Sequence, residues 1–218
     1  MITVLIAAYR EAGRIGATVA AAQQVQGVGE VLVVDDGSPD ATAEEARTHG
    51  ARVVRLPRNQ GKGRALTAGI EAARGDVVIL ADADLGSSAR FLERLAAPVL
   101  RGEADLTIAV LPSGGSGGGR GLARGLAARG IWRRTGFLPR APLSGQRCAR
   151  REVFRRLLPF ARGWGVETGM TVDALRAGLV VLEVDCPLTH RVTLTGAGDT
   201  WHRARQFWDI AWALVRRR

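Results

Sequence analysis

The sequence predicts an α/β protein with a mixed, mainly parallel sheet and helices on both faces, and three observations carry that prediction. Short β-branched runs alternate with alanine-rich helical stretches through the first half of the chain. Most of these runs stop at a turn signal, and two stops are acidic: Asp35-Asp36-Gly37-Ser38 and Asp82-Ala83-Asp84. Apolar runs such as 77–81 are too short to span a bilayer.

Taken in order, strands are expected over 3–8, 31–35, 52–56 and 77–81, separated by helices over 11–26, 41–49 and 62–74. Ser38 or Asp40 is suited to cap the second of these helices. A helix over 89–101 and a strand over 105–110 complete a doubly wound half. The stretch 112–121, Pro-Ser-Gly-Gly-Ser-Gly-Gly-Gly-Arg-Gly, favours neither helix nor strand and reads as a flexible loop. Beyond it come an arginine-rich helix to Arg134, a strand over 144–150, helices over 152–158 and 166–177, a strand over 179–185 and an amphipathic helix over 199–218. The chain reads as one domain, 1–218, whose two halves, 1–111 and 122–218, flank that loop.

Composition narrows the function. The chain has 218 residues, 46% hydrophobic and 24% charged, which excludes wholesale disorder and fibrous architectures. Charge is split unevenly, with a net −2 over residues 1–110 and +12 over the remainder. Thirty of the 31 basic side chains are arginine, and Lys62 is the single lysine. The basic half fits an anionic substrate, an anionic membrane or simply a solvated surface; no motif for nucleic acid stands behind it, and none is expected as a partner. Cys148 and Cys186 form neither a disulfide framework nor a zinc site, which with the absence of a leader pattern suggests a reducing, cytoplasmic setting.

In an open parallel sheet ligands bind beyond the carboxyl ends of the strands, so the polar residues just after each strand are the candidates. They are Tyr9, Arg10 and Glu11 after the first strand, which Ala8, itself a candidate, closes; Asp36, Gly37 and Ser38 after the second; and Asp82, Ala83 and Asp84 after the fourth. Carboxylates from different strands on one rim repel unless a cation lies among them, and a divalent metal serves that purpose. Lys62, at a helix start between two glycines, is suited to a diphosphate. The structural alternatives are a helix-capping turn at Asp36 and a plain surface turn at Asp82. No Gly-x-Gly-x-x-Gly turn or P-loop is present.

Four segments in this order resemble the family 2 glycosyltransferases of the GT-A (Rossmann-like) fold: Val4-Leu5-Ile6-Ala7-Ala8-Tyr9-Arg10-Glu11, Val33-Val34-Asp35-Asp36-Gly37-Ser38, Asn59-Gln60-Gly61-Lys62-Gly63 and Gly75 through Leu85. Ala7 and Arg10 replace the Pro and Asn common in the first motif. Pro142-Leu143-Ser144-Gly145-Gln146-Arg147, Gly163-Trp164-Gly165-Val166-Glu167 and His190 resemble the glucosyl-3-phosphoglycerate synthase branch. The resemblance implies a transferase using a nucleoside-diphosphate sugar, UDP-glucose first, with Mg2+ or Mn2+ held by Asp84 and His190. It implies that Glu167 contacts the donor sugar. Leu188 stands where that branch often carries Arg, leaving Arg191 for the diphosphate. Asp84, Glu167 and Arg147 are the residues expected to act in the reaction, Arg147 as an attractor of an anionic acceptor.

Three other readings stay open: a polyprenyl-phosphate glycosyltransferase touching the inner membrane face through the last helix, a sugar nucleotidyltransferase, and a non-catalytic basic adaptor. Self-association into a homodimer is a further possibility.

Overall fold

The computed structural model describes residues 1–112, 120–189 and 199–216, except for the side chains of residues 120 and 199–205. Of the loop expected over 112–121, residues 113–119 lie outside the described residues, as do His190 and Arg191, while Arg120 and Gly121 already open a helix.

Seven strands form one sheet: β1 (Ile2–Ala8), β2 (Val28–Asp35), β3 (Arg52–Arg55), β4 (Val77–Asp82), β5 (Leu106–Val110), β6 (Arg147–Arg150) and β7 (Val181–Asp185), in the spatial order β3-β2-β1-β4-β6-β5-β7. The strands run parallel except β6, which lies antiparallel between β4 and β5. This corrects the doubly wound first half: β5 does not adjoin β4. The sequence 144–150 reads as one strand, but only Arg147–Arg150 enters the ladder, Gly145 and its polar neighbours forming the loop before it.

Alternation along the strands puts successive side chains on opposite faces. Val4, Ile6 and Ile79 meet α1 (Ala12–Ala22) and α4 (Glu93–Leu100) through Ile15, Val19, Leu95 and Val99. Leu5, Leu32 and Leu80 point the other way, to Leu66 and Ile70 of α3 (Lys62–Ala72), Phe154 of α6 (Arg151–Arg156) and Met170 of α7 (Val166–Arg176). Burying each such aliphatic side chain is worth about 1.5–3 kcal/mol. A third cluster, Ala127, Ile131, Val172, Ile210 and Leu214, joins α5 (Arg120–Thr135) and α7 to the last helix, α8 (Asp199–Arg216).

Helix α1 is shorter than the 11–26 expected because Gly27 turns the chain at φ +80° ahead of β2. The remaining helix, α2 (Thr42–Thr48), has no side-chain cap; Asp40 instead accepts the Thr42 hydroxyl and N–H. Cys148 and Cys186 are buried free thiols.

Candidate active site

The carboxyl ends of β1 and β2 are stitched together by the residues the sequence singles out. Asp36 N–H donates to Ala8 O at 2.9 Å. Arg10 N–H donates to Ser38 Oγ at 3.0 Å, and Glu11 N–H to Thr42 Oγ1 at 2.9 Å. Arg10 takes a positive φ of 59°, its guanidinium 5.3 Å from the centroid of the Tyr9 ring, which remains exposed. Such backbone strain in a side-chain-bearing residue is characteristic of ligand-binding turns.

Asp36 is nearly fully buried and does not cap a helix. Its two oxygens accept the N–H groups of Gln60 (2.8 Å) and Gly61 (2.7 Å), fastening the 59–61 loop to the end of β2. Gly37 makes this approach possible: at φ +70° a Cβ there would lie 2.5 Å from the carbonyl carbon of Arg58. Glu11 is engaged by Arg14 at 2.7 Å.

The fastened loop delivers Lys62 to the middle of the rim. Its Nζ donates to Asp82 Oδ1 and to Glu167 Oε1, each at 2.8 Å. Burial alone would lower the lysine's affinity for its proton, but the charges and hydrogen bonds of the two carboxylates outweigh it and hold the group above its ordinary 10.5. The ammonium expected to face a diphosphate thus already bridges two acids, which explains how they tolerate each other.

The other Asp82 oxygen is held by a residue the sequence reading quoted within its motif but did not single out. Gln146 Nε2 donates to Asp82 Oδ2 at 2.5 Å, while Ser144 Oγ donates to Gln146 Oε1 at 3.2 Å. Gly145 packs directly on the pair: a Cβ there would stand 2.7 Å from Lys62 Nζ and 2.9 Å from Asp82 Oδ1. Arg147 departs from its expected place. Its side chain is fully buried rather than offered to an acceptor, with Nε donating to Ser144 O and a terminal N–H to Thr171 Oγ1, both at 3.0 Å. Burial pushes its pKa down to about 10. Thr171 in turn donates to Glu167 O at 3.0 Å, so Arg147 ties the 144–146 turn to the helix carrying Glu167.

Ala83 is buried, and the turn carrying Asp84 is anchored from below. Thr18 Oγ1 donates to Ala83 O at 2.8 Å and accepts Gly86 N–H at 2.9 Å. Asp84 itself is half-buried and accepts no hydrogen bond from any described residue, which leaves its hard oxygens fit for a divalent cation. Among the described residues no group of three or more His, Cys, Asp or Glu forms a complete metal site. The segment leading to His190 does reach this turn: Thr189 N–H donates to Ser88 Oγ at 3.0 Å, and Ser88 donates to Leu85 O at 2.7 Å. Thr18 and Ser88 carry no local sequence signal, because their roles exist only through partners 65 and 101 positions away.

At the opposite ends of the strands, a cavity of about 380 Å³ includes Glu30, Arg52 and Arg74 in its lining. Its acid is consumed structurally, by Thr3 Oγ1 at 2.6 Å, Arg52 at 2.8 Å and Arg74 N–H at 3.0 Å.

A mainly parallel sheet whose carboxyl rim gathers a buried Asp-Gly-Ser turn, an Asp-Ala-Asp turn and a lysine-bridged acid pair defines a nucleotide-sugar transferase fold of the GT-A class. Residues 3–157 match glycosyl transferase family 2, and the chain belongs to that family. The glucosyl-3-phosphoglycerate synthase of Mycolicibacterium paratuberculosis is 35% identical over 204 residues, covering 82% of this chain and 61% of that protein. The chain therefore spans about three fifths of the length of that curated relative. Two crystal structures of the Mycobacterium tuberculosis glucosyl-3-phosphoglycerate synthase superpose over the whole of this chain. The complex with phosphoglyceric acid has a TM-score of 0.83 at 33% identity over 79% of its own length. The complex with Mn2+, uridine diphosphate and phosphoglyceric acid has 0.82 at 32% over 78%.

Proposed function

We propose that the chain transfers glucose from UDP-glucose to a phosphorylated small acceptor of the phosphoglycerate kind, with Mn2+ or Mg2+ as the cofactor. The observation that carries this reading is the Asp82–Lys62–Glu167 bridge, built at the carboxyl rim by segments that bring the donor-binding motifs and the second half together. In the reaction the bond from the anomeric carbon to the diphosphate oxygen breaks, its electron pair leaving with UDP. An acceptor hydroxyl forms the new bond to carbon and gives up its proton to the departing diphosphate oxygen or to water.

The residues divide this work by position. Tyr9, Glu11, Asp36, Gly37 and Ser38 shape the nucleotide end, Tyr9 offering an exposed ring face and Asp36 fixing the loop that carries Lys62. Glu167 and Asp82 flank the donor sugar, where carboxylates accept hydroxyl hydrogen bonds and favour positive charge developing at the anomeric carbon. Asp84 and His190 would hold the divalent ion, whose charge would neutralise the departing diphosphate. What supports this pairing is the Thr189–Ser88 bond beside the Asp84 turn. The exposed arginines of α5, a helix with no acidic residue, attract the phosphorylated acceptor.

The test is the melting temperature with UDP, GDP and UDP-glucose, with Mn2+ and then with excess chelator, followed by mass spectrometry of the product formed from UDP-glucose and 3-phosphoglycerate. A metal-dependent rise selective for UDP, with a glucosylated phosphoglycerate, is the expected result. No shift with any nucleotide in a folded sample would overturn the reading.

One observation favours a second acceptor class. Helix α8 buries Ile210, Ala213 and Leu214, yet its outer arc presents Phe207, Trp208, Trp212 and Val215, with Trp208 72% exposed and Arg216 stacked 4.9 Å from the Trp212 ring. Aromatic residues beside arginines suit an anionic membrane surface, where a lipid-linked phosphate would be the acceptor. No helix among the described residues is long and apolar enough to cross a membrane. Flotation with phosphatidylglycerol but not phosphatidylcholine vesicles is expected under this reading; a salt-insensitive dimer without flotation would assign the face to a second copy instead.

A further inference from the structure

Gln146 is held by its surroundings to one conformation. Its carbonyl accepts Ala109 N–H at 3.0 Å, the residue before it packs on the Lys62–Asp82 pair, and the residue after it is locked by Ser144 O and Thr171 Oγ1. The side chain is 2% exposed. Its two ends are distinguishable by chemistry: a carboxylate only accepts, so the amide N–H must face Asp82, and the amide oxygen then receives the Ser144 hydroxyl.

Asp82 is thereby fastened on both oxygens, by Lys62 on one and Gln146 on the other. The charge count matters as much as the geometry. Asp82 and Glu167 already share Lys62, so a third carboxylate at this place would add repulsion, whereas a neutral amide donates a hydrogen bond. Without that donor one Asp82 oxygen loses a partner that orients it about a terminal torsion with broad minima, and Lys62 would shift toward Glu167.

We propose that Gln146 is the positioning residue for the donor-sugar end of the site: by fixing Asp82 it sets the orientation of the Lys62 bridge and hence of both carboxylates that flank the sugar. This rests on the UDP-glucose reading above. It assigns a function to a neutral side chain that need not itself touch the substrate.

The experiment compares the intact chain with Gln146→Ala, the near-isosteric Gln146→Glu, Lys62→Ala, and the double variant Lys62→Ala with Gln146→Ala. Titration calorimetry with Mn2+ reads UDP and UDP-glucose affinity separately, thermal melts report folding, and turnover is split into kcat and KM. The expected result for Gln146→Ala is a loss of UDP-glucose affinity of about tenfold, UDP affinity within about twofold, and kcat lowered about ten- to a hundredfold. Gln146→Glu, which keeps the packing, should lose at least as much. The double variant should lose less than the sum of the two single losses, since both residues act through Asp82.

Equal weakening of UDP and UDP-glucose, additive losses in the double variant, or unchanged binding and turnover in both Gln146 variants would overturn the proposal. A wild-type chain that binds UDP but not UDP-glucose would overturn the glucosyl reading and take this inference with it. That outcome is visible before any variant is made.

Discussion

Lys62 and Glu167 stand 105 positions apart in the chain and 2.8 Å apart in space. Lys62 opens helix α3 in the first half of the chain and Glu167 lies in the first turn of α7, so this contact joins the two halves of the chain at the rim. Each partner is fixed by something else: Lys62 through the Asp36-bound loop, Glu167 through Thr171 and Arg147.

Removing the lysine should therefore be felt twice. Lys62→Ala leaves Asp82 and Glu167 facing one another without a cation. Discounted for the one-third exposure of the lysine, a stability loss of about 1–3 kcal/mol is expected in urea unfolding. Turnover of UDP-glucose should fall about a hundredfold or more, and addition of salt should recover only the stability.

Gly145→Ala separates activity from stability. The added methyl meets the ends of the Lys62 and Asp82 side chains, which can move aside, rather than backbone. Melting should change by less than the equivalent of about 1 kcal/mol, while kcat falls about tenfold if the displaced pair orients the sugar as proposed. Unchanged kcat would show that the pair tolerates displacement.

Glu30 gives a pH prediction remote from the site. Burial alone would raise its pKa, but hydrogen bonds from Thr3, Arg74 N–H and Arg52 outweigh it and hold the carboxyl below its ordinary 4.5. The depressed value means that its stabilisation is present above about pH 4.5 and is lost as pH falls through the lower folded-state value. Glu30→Gln should cost about 1–3 kcal/mol at pH 7 and show a flatter acid limb in stability measured from pH 6 to pH 3.

The thiols should be silent. Burial raises Cys148 strongly and Cys186 to about 11, and both side chains are almost wholly covered. Labelling by a thiol reagent at pH 8 should be negligible in the native chain and reach two equivalents in denaturant.

The strands of the first half were legible because their β-branched runs end in turn chemistry that has a local cause, as at Gly37 and Asp82. The Asp36 and Asp82-to-Asp84 turns were legible for the same reason, since they lie at strand ends, and Lys62 because it is the single lysine, set between two glycines. What the sequence could not display was partnership. Asp36 reads as a capping acid because a cap is local, and its actual partners, Gln60 and Gly61, lie across a strand and a helix. Arg147 reads as a surface cation in an arginine-rich stretch, since nothing local reveals that its strand is inserted between β4 and β5. Gln146 carries no charge to draw attention, although it sits beside the one glycine that the Lys62–Asp82 pair requires.

The antiparallel insertion of β6 also decides how the chain may be cut. Strand β5 lies within the first 110 residues, yet both of its neighbours, β6 and β7, are supplied from beyond residue 146. A fragment ending at residue 110 would keep β1 through β4 paired, but would expose the β4 edge and leave β5 without a ladder. The first 110 residues are thus not a detachable cassette onto which different second halves can be exchanged. Recombination between relatives of this architecture should succeed at the outer loops and fail at the glycine-rich junction, where sequence alone invites the cut.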